Sequence, residues 1–341
     1  MIIALDAMGG DFAPAEIVKG ALLAAGQLEE ARVALVGDEA QIKAALGNRV
    51  LPDNLFIRHA SEVVEMEDSP RVALRKKPDS SMARAVDMVL EGEAEACVSA
   101  GNSGAWMALC YTRLGSIPGI DRPAIALFCP TPSGPRLLLD AGAVTDCKPF
   151  HLQQFGIMGS VYAEFAMGCK QPRVGLLNIG EEAHKGNELT LAASQLLKSS
   201  PINFVGNIEG DHIFVEGVDV IVCDGFVGNV ALKVMEGLAG MLMGTFRDGI
   251  KKSLLAKLGA LLMLPVFRKA RKLFDYRTYG GALLLGINGI CIIGHGKSDS
   301  QAVCNALLVA ERSVKAKVIE HMLEMTEQLI PDSESELPLA T

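Results

Sequence analysis

The chain has 341 residues, 50% of them hydrophobic and 21% charged, enough apolar surface for a sizeable core, which excludes a disordered polypeptide. Its 35 glycines follow no strict period, which excludes a collagen-like assembly, and a net charge of −8 argues against general nucleic-acid binding. That charge is uneven. Between Arg247 and Arg277 nine Lys/Arg face two Asp/Glu, against 23 and 38 in the rest of the chain, so a basic segment is expected to meet something anionic.

Residues 1–5 read as a strand, followed by the loop Asp6-Ala-Met-Gly-Gly-Asp11; Pro14 suits the first turn of a helix that Gly26 can end. A strand over 32–36 and a helix over 39–46 come next. Residues 96–99 form a strand, Ala100-Gly-Asn-Ser-Gly104 a loop and 105–114 a helix. A strand over 136–139 leads into Asp140-Ala-Gly-Ala143 and a long helix to about residue 168. A strand over 173–177 leads into Asn178-Ile-Gly-Glu-Glu-Ala-His-Lys-Gly186 and a helix from Asn187. A strand over 218–223 runs into Asp224-Gly-Phe-Val-Gly-Asn229 and a further helix. A last strand over 290–293 runs into Gly294-His-Gly296 and a closing helix over about 299–328.

Strands alternating with helices predict an α/β fold, a mostly parallel twisted sheet with helices on both faces. Ligands bind beyond the carboxyl ends of such strands, so several of the six glycine-bearing loops are expected to gather at one edge. No repeat or linker forces a boundary: residues 1–330 read as a single α/β catalytic domain, 235–278 as a protruding amphipathic basic segment within it and 331–341 as an acidic tail.

Glycine lets backbone approach a ligand closely, and a helix N-terminus presents unpaired N–H groups, a combination suited to phosphate or a developing oxyanion. Neither GxxxxGK[ST] nor GxGxxG occurs, so the standard nucleotide fingerprints are missing. The polar loop residues are Asp6, Asp11, Ser99, Asn102, Ser103, Lys185, Asp224, Asn229 and His295. Lys185, just before a helix, can aim its ammonium at an anion held there or be a solvated loop lysine. Asn102 and Asn229 can donate to an oxyanion or cap a helix; Asp6 and Asp224 can serve the reaction or the turns; His295 can handle a proton or be structural. The eight cysteines and six histidines show no metal-ligand spacing, and the cysteines read as buried free thiols of a reducing compartment. Asp6 interrupts the first apolar run and no basic stretch precedes it, so no signal peptide is expected. Near the basic segment the longest uninterrupted apolar run, 258–267, is far short of a bilayer span.

The loops Asp6-Ala-Met-Gly-Gly-Asp11, Val98-Ser-Ala-Gly-Asn-Ser-Gly-Ala105 and Gly175-Leu-Leu-Asn-Ile-Gly180, the latter continuing to Lys185-Gly186, closely resemble those of one family. So do Asp224-Gly-Phe-Val-Gly-Asn-Val-Ala-Leu-Lys233, Tyr279-Gly-Gly281 and His295-Gly296, in order over nearly the whole chain. The family is the bacterial acyl-ACP:phosphate acyltransferase of phospholipid synthesis. The resemblance implies a fold like that of isocitrate and isopropylmalate dehydrogenases and phosphotransacetylase. It also implies transfer of an acyl group from acyl carrier protein to inorganic phosphate, giving acyl phosphate for a membrane glycerol 3-phosphate acyltransferase. A homodimer, cytoplasmic and associated with the inner face of the membrane, belongs to the same picture. Phosphate is itself the nucleophile, so no catalytic Ser or Cys, metal or cofactor is implied. On this basis phosphate binding is expected from Asp6, Gly9, Gly10, Asp11, Ser99, Ser103, Gly104 and Gly186, helped by Lys185. Asn229 or Asn102 is expected to meet the oxyanion, Asp224 to orient, and His295 to assist the leaving thiolate. The family usually reads Asp-x-Gly-Ala-Asn where this chain reads Asp140-Ala-Gly-Ala-Val144, so any polar side-chain role at 144 is absent and that loop is left out of the expected site.

Leu254, Leu255, Leu258, Leu261 and Leu262 fall on one helical face, and Phe267, Arg268, Lys269, Arg271 and Lys272 follow Pro265. An apolar face beside a basic cluster suits an interfacial helix on anionic lipid; a dimer interface and a docking face for the acidic carrier protein are the other readings. The rivals for function are an acyl-CoA-using phosphotransacetylase-like enzyme, a metal- and NAD-dependent dehydrogenase, disfavoured for want of clustered carboxylates, and a non-catalytic membrane scaffold.

Overall fold

A computed structural model describes residues 1–215, 217–267 and 280–327. The expected tail at 331–341, Tyr279, and the basic residues Arg268, Lys269, Arg271 and Lys272 lie outside the described residues.

The apolar runs form strands β1 (Ile2–Asp6), β2 (Arg32–Gly37), β3 (Leu55–His59), β4 (Ala96–Ser99), β5 (Ala124–Cys129), β6 (Arg136–Leu139), β7 (Arg173–Leu177), β8 (Asn203–Ile208), β9 (Val220–Val222), β10 (Ala282–Leu285) and β11 (Ile290–Ile293). They lie in one sheet in the order β3-β2-β1-β4-β11-β10-β5-β6-β9-β7-β8. The runs are unbroken because both faces are covered. On β1, Ile3 and Leu5 face one core and Ala4 the other; on β4, Ala96 and Val98 oppose Cys97; on β11, Ile290 and Ile292 oppose Cys291 and Ile293. Helices α1 (Ala15–Ala25), α6 (Pro149–Phe165) and α10 (Ser300–Lys315) supply the first core, and α4 (Ser81–Leu90) with α5 (Ser103–Leu114) the second. Seven strand pairings are parallel. Three are antiparallel: β10 with β11, β10 with β5, and β5 with β6.

Those three pairings decide which loops gather: the loops after β1, β4 and β11 share one edge, as expected of several. They reverse the strand direction at the middle of the sheet, so the loops do not leave by a single edge. β1, β4 and β11 end where β10 begins; β6, β9, β7 and β8 point the other way. Neighbouring strands rotate by ~20–25°, so the five spacings from β4 to β9 add ~100–125° of twist to the reversal. The two sets of carboxyl ends thus form two lips at opposite edges of the sheet, ~24 Å apart along it.

The chain also carries elements that the periodicity did not separate from their surroundings: β3, β5, β8, β10, α3 (Pro70–Lys76) and α4. Between β7 and β8, α7 (Glu188–Lys198) is capped by Asn187 as its position predicts. Asp224-Gly-Phe-Val-Gly-Asn229 is not a loop. Asp224 is the N-cap of α8 (Gly225–Lys251), and its glycines sit inside the first turns. The closing helix is two, α10 and α11 (Val318–Glu327), separated where Lys317 takes a φ of 48°.

α1 packs along α10 through Gly20, where a Cβ would stand 2.8 Å from the Ser300 carbonyl oxygen and run into Val303. Glu16 on α1 fixes the same junction by accepting from the Ser300 N–H at 2.8 Å. Gly20→Ala should therefore overpack this seam and lower stability by ~1–3 kcal/mol in urea unfolding, although alanine is the better helix former.

Candidate active site

The first lip is built on a buried carboxyl. Asp6 ends β1 with 1% of its surface exposed. Its Oδ2 accepts from Ser99 Oγ at 2.6 Å, and its Oδ1 from the Met8 N–H at 3.1 Å. Ser99 ends β4, and its Oγ accepts from the Gly101 N–H at 3.0 Å, so one carboxyl ties two strand-end loops together. Burial pushes the Asp6 carboxyl above its ordinary range, against hydrogen bonds from Ser81, Ser99, Met8 and Gly9 that pull it down. A Cβ at Gly9 would collide with Asp6 Oδ2 and stand 2.9 Å from the Gly101 nitrogen, and Gly10 has a φ of +114°. These two positions need glycine to bring backbone over the carboxyl. The β11 loop joins the same lip: the Gly294 N–H donates to Ser99 O at 2.7 Å and the Asp11 N–H to Gly296 O at 2.8 Å.

Asn102 caps α5, its Oδ1 accepting from the Ala105 N–H at 3.0 Å. Its amide donates to the carbonyls of Met66 and Asp68 at 2.7 and 2.9 Å. Both ends of the side chain are engaged, so Asn102 is a cap and loop anchor rather than the oxyanion donor that the sequence allowed. The N–H groups of Ser103 and Gly104, the first two of α5, have no partner among the described hydrogen bonds, and both residues are exposed. They are amides that an anion can take. Asp11 and His295 are exposed beside them; His295 Nδ1 accepts from the Lys297 N–H at 3.1 Å.

The second lip repeats the design on the other half of the sheet. Asp140 follows β6, fully buried, its Oδ1 accepting from the N–H groups of Ile125, Gly142 and Ala143 at 2.8–3.0 Å and its Oδ2 from Val144 at 2.7 Å. Burial pushes this carboxyl up as well, against those four amides. The loop left out of the expected site is thus the organiser of this lip. Position 144 acts through its backbone: its N–H reaches Asp140 and its carbonyl accepts from the Gly225 N–H at 2.8 Å, which explains why valine is tolerated. α8 starts on that loop. Asp224 Oδ1 accepts from the N–H groups of Phe226 and Val227 at 3.0 Å, and a Cβ at Gly228 would collide with Asp140 O. Asn229 is exposed, with its Cβ and amide lying over Gly142.

The β7 loop adds Lys185 to this second lip. Asn178 closes it by donating to Lys185 O at 3.0 Å, and Gly186, at φ +116°, leaves no room for a Cβ beside Thr190 and Asn178. Lys185 is half-buried, packed along Gly180 and directly before α7. No described hydrogen bond or ion pair joins it to Gly9, Gly10 or Gly104. The structure therefore groups Asp6, Gly9, Gly10, Asp11, Ser99, Asn102, Ser103, Gly104 and His295 on one lip, and Lys185, Gly186, Asp224 and Asn229 on the other. Lys185 thus stands on the other lip from the glycine cradle it was expected to help, because the antiparallel centre places β7 and β4 in opposed halves of the sheet.

Beyond Gly228 no residue of α8 is buried, and none of α9 (Leu254–Leu262) is. Leu254, Leu258, Leu261 and Leu262 are 58–83% exposed, and Phe267 is half-buried. α8 is long and apolar enough to cross a membrane by length and composition, with 6% of its most apolar stretch buried. The absence of metal-ligand spacing in the sequence also has a structural exception: Cys97, Cys110 and Cys291 meet in the core with their sulfur atoms within 4.8 Å of one another.

Residues 1–321 match the family model described as fatty acid synthesis protein. A phosphate acyltransferase of Pelotomaculum thermopropionicum is 54% identical over 329 residues, covering 96% of each chain, and one of Desulfitobacterium hafniense is 52% identical over 323 residues, covering 94% of this chain and 96% of the relative. Among solved structures, a phosphotransacetylase from Streptococcus pyogenes superposes with a TM-score of 0.63 at 14% identity, over 94% of both chains. A putative 4-hydroxythreonine-4-phosphate dehydrogenase from Salmonella typhimurium gives 0.54 at 14% identity, over 91% of this chain and 98% of the other. The last two show a shared fold.

The raised Asp6 carboxyl has a pH signature. The folded state holds its proton more tightly than the unfolded chain, so its contribution to stability is present at acid pH. It is lost as pH rises from the unfolded value of 3.8 through the folded one. In urea unfolding across pH, the wild type should lose stability relative to Asp6→Asn as pH rises from 3.8.

Proposed function

The chain belongs to the phosphate acyltransferase family of fatty-acid and lipid synthesis, and from that premise we propose that it moves the acyl group of an acyl-carrier-protein thioester onto inorganic phosphate. A phosphate oxygen adds to the thioester carbonyl carbon, the tetrahedral intermediate collapses, the C–S bond breaks and the acyl C–O–P linkage remains. The thiolate leaves with a proton from phosphate or from His295. The acyl phosphate then serves a membrane acyltransferase that acylates glycerol 3-phosphate.

The observation that carries this reading is the pair of unpartnered α5 amides, Ser103 and Gly104, beside the Gly9–Gly10 turn. Backbone amides and a helix N-terminus favour a phosphate dianion without adding a nucleophile of their own. Asp6 serves the same site by tying the β1 and β4 loops together beneath these amides. Across the cleft, the Lys185 ammonium and Asn229 amide are the groups to meet the carbonyl oxygen as charge develops there. Their action on the phosphate-bearing lip calls for the two lips to close on the substrate.

The exposed leucine face of α9 is assigned to an anionic membrane surface, where an acyl phosphate would be handed on, and the protein to the cytoplasmic side as a homodimer. A CoA thioester as donor is the second reading, favoured by the phosphotransacetylase-like fold alone.

Purified protein given palmitoyl carrier protein, phosphate and hydroxylamine should yield palmitoyl hydroxamate in a phosphate-dependent manner; product from palmitoyl-CoA alone would replace this reading by the second. Lys185→Ala should lower kcat/KM by ~100-fold or more, and an unchanged value would remove Lys185 from the reaction. Leu258→Glu combined with Leu262→Glu should abolish flotation with anionic liposomes, whereas intact binding would place that face against another protein surface.

A further inference from the structure

Cys97 lies on β4 and Cys291 directly beside it on β11, in register, with their sulfurs 3.6 Å apart. Cys110 reaches the same point from α5, and all three residues are fully buried, at 0–1% exposure. They share the second core with Ala4, Ala34 and Trp106. The other five cysteines make no such group among the described residues. We infer that Cys97, Cys110 and Cys291 form a three-sulfur binding site for a soft trivalent metalloid, As(III) or Sb(III).

Sulfur selects soft ions, and three sulfurs from three separate elements already converge within 4.8 Å. At bonds of ~2.3 Å, sulfurs around one ion lie no more than ~4 Å apart, so occupancy asks for only a small contraction. Charge chooses the valence. Three thiolates around Zn(II) leave a net −1 and around Cu(I) a net −2, in a core cluster with no charged member among the described residues, whereas three thiolates around a trivalent ion are neutral. Zinc would also want a fourth ligand, and the group offers three. With arsenous acid the exchange balances without redox change: As(OH)3 and three thiols give As(SR)3 and three waters, each As–O bond replaced by As–S and each thiol proton leaving on a hydroxide.

The chain's one tryptophan, Trp106, lies one turn before Cys110 in the same cluster and reports on the site. Arsenite titrated into the full-length protein, reduced with a phosphine, should quench its fluorescence at one equivalent, raise Tm, and show arsenic with three sulfur neighbours and no oxygen in X-ray absorption. Cys110→Ala, and Cys110→Val to fill the vacated volume, should weaken binding by ~100-fold or more while leaving hydroxamate formation unchanged. Equal binding by either folded variant, fewer than three sulfur neighbours, or a fall in Tm from preferential capture of the unfolded chain would each overturn the assignment.

Discussion

β10 runs against both β11 and β5, and β5 runs against β6, so the sheet is two parallel halves set head to tail. Every functional loop takes its position from that reversal. Parallel strands deliver their following loops to one edge, and reversal sends half of them to the other. The division of the loops into two groups is therefore a property of the sheet before any side chain is considered. The short strands at its centre are held by backbone pairing, apolar packing and the Asp140 carboxyl, which accepts from the Ile125 N–H of β5.

Each half then uses the same device. Asp6 after β1 and Asp140 after β6 are carboxyls without surface, held by hydroxyl or backbone donors from the loops around them. Burying a carboxyl is costly unless its lone pairs are satisfied, so each loop must keep its donors in place to keep the carboxyl folded inside. The glycines follow from the same crowding: Gly9 against Asp6 and Gly228 against the Asp140 carbonyl leave no space for a Cβ. Conformational precision at the lips thus comes from buried groups, while the groups proposed to meet substrate, the α5 amides, Lys185 and Asn229, remain exposed or half-exposed.

The outer segment obeys the opposite logic. α8 and α9 carry many apolar side chains and bury almost none of them. Among the described residues this leucine stripe stays exposed in a chain that packs Ala, Val and Leu closely elsewhere, an apolar area beyond the scattered single residues of an ordinary surface.

Much of this was legible residue by residue. β4, β6, β7 and β11 stand where their apolar runs place them, α2 (Glu39–Leu46) occupies the expected residues, and Asn187 caps α7 as its position before the helix implies. The loop motifs identified the family, because the glycines and polar residues around Asp6 and at the start of α8 stand in short contiguous stretches of sequence. The Gly225–Asn229 stretch misled, since two glycines and a polar residue look alike in a loop and in a helix start pressed onto a neighbour. Strand direction was invisible: β5 and β10 have the composition of any buried strand, and nothing in an apolar run records which way its neighbour points. For the same reason the sequence could name Lys185 and Gly104 but not place them on different lips, nor bring Cys97, Cys110 and Cys291 together from 194 residues of separation. Local pattern determined the elements, the loops and the chemistry they carry; long-range pairing alone decided which of those residues share a site.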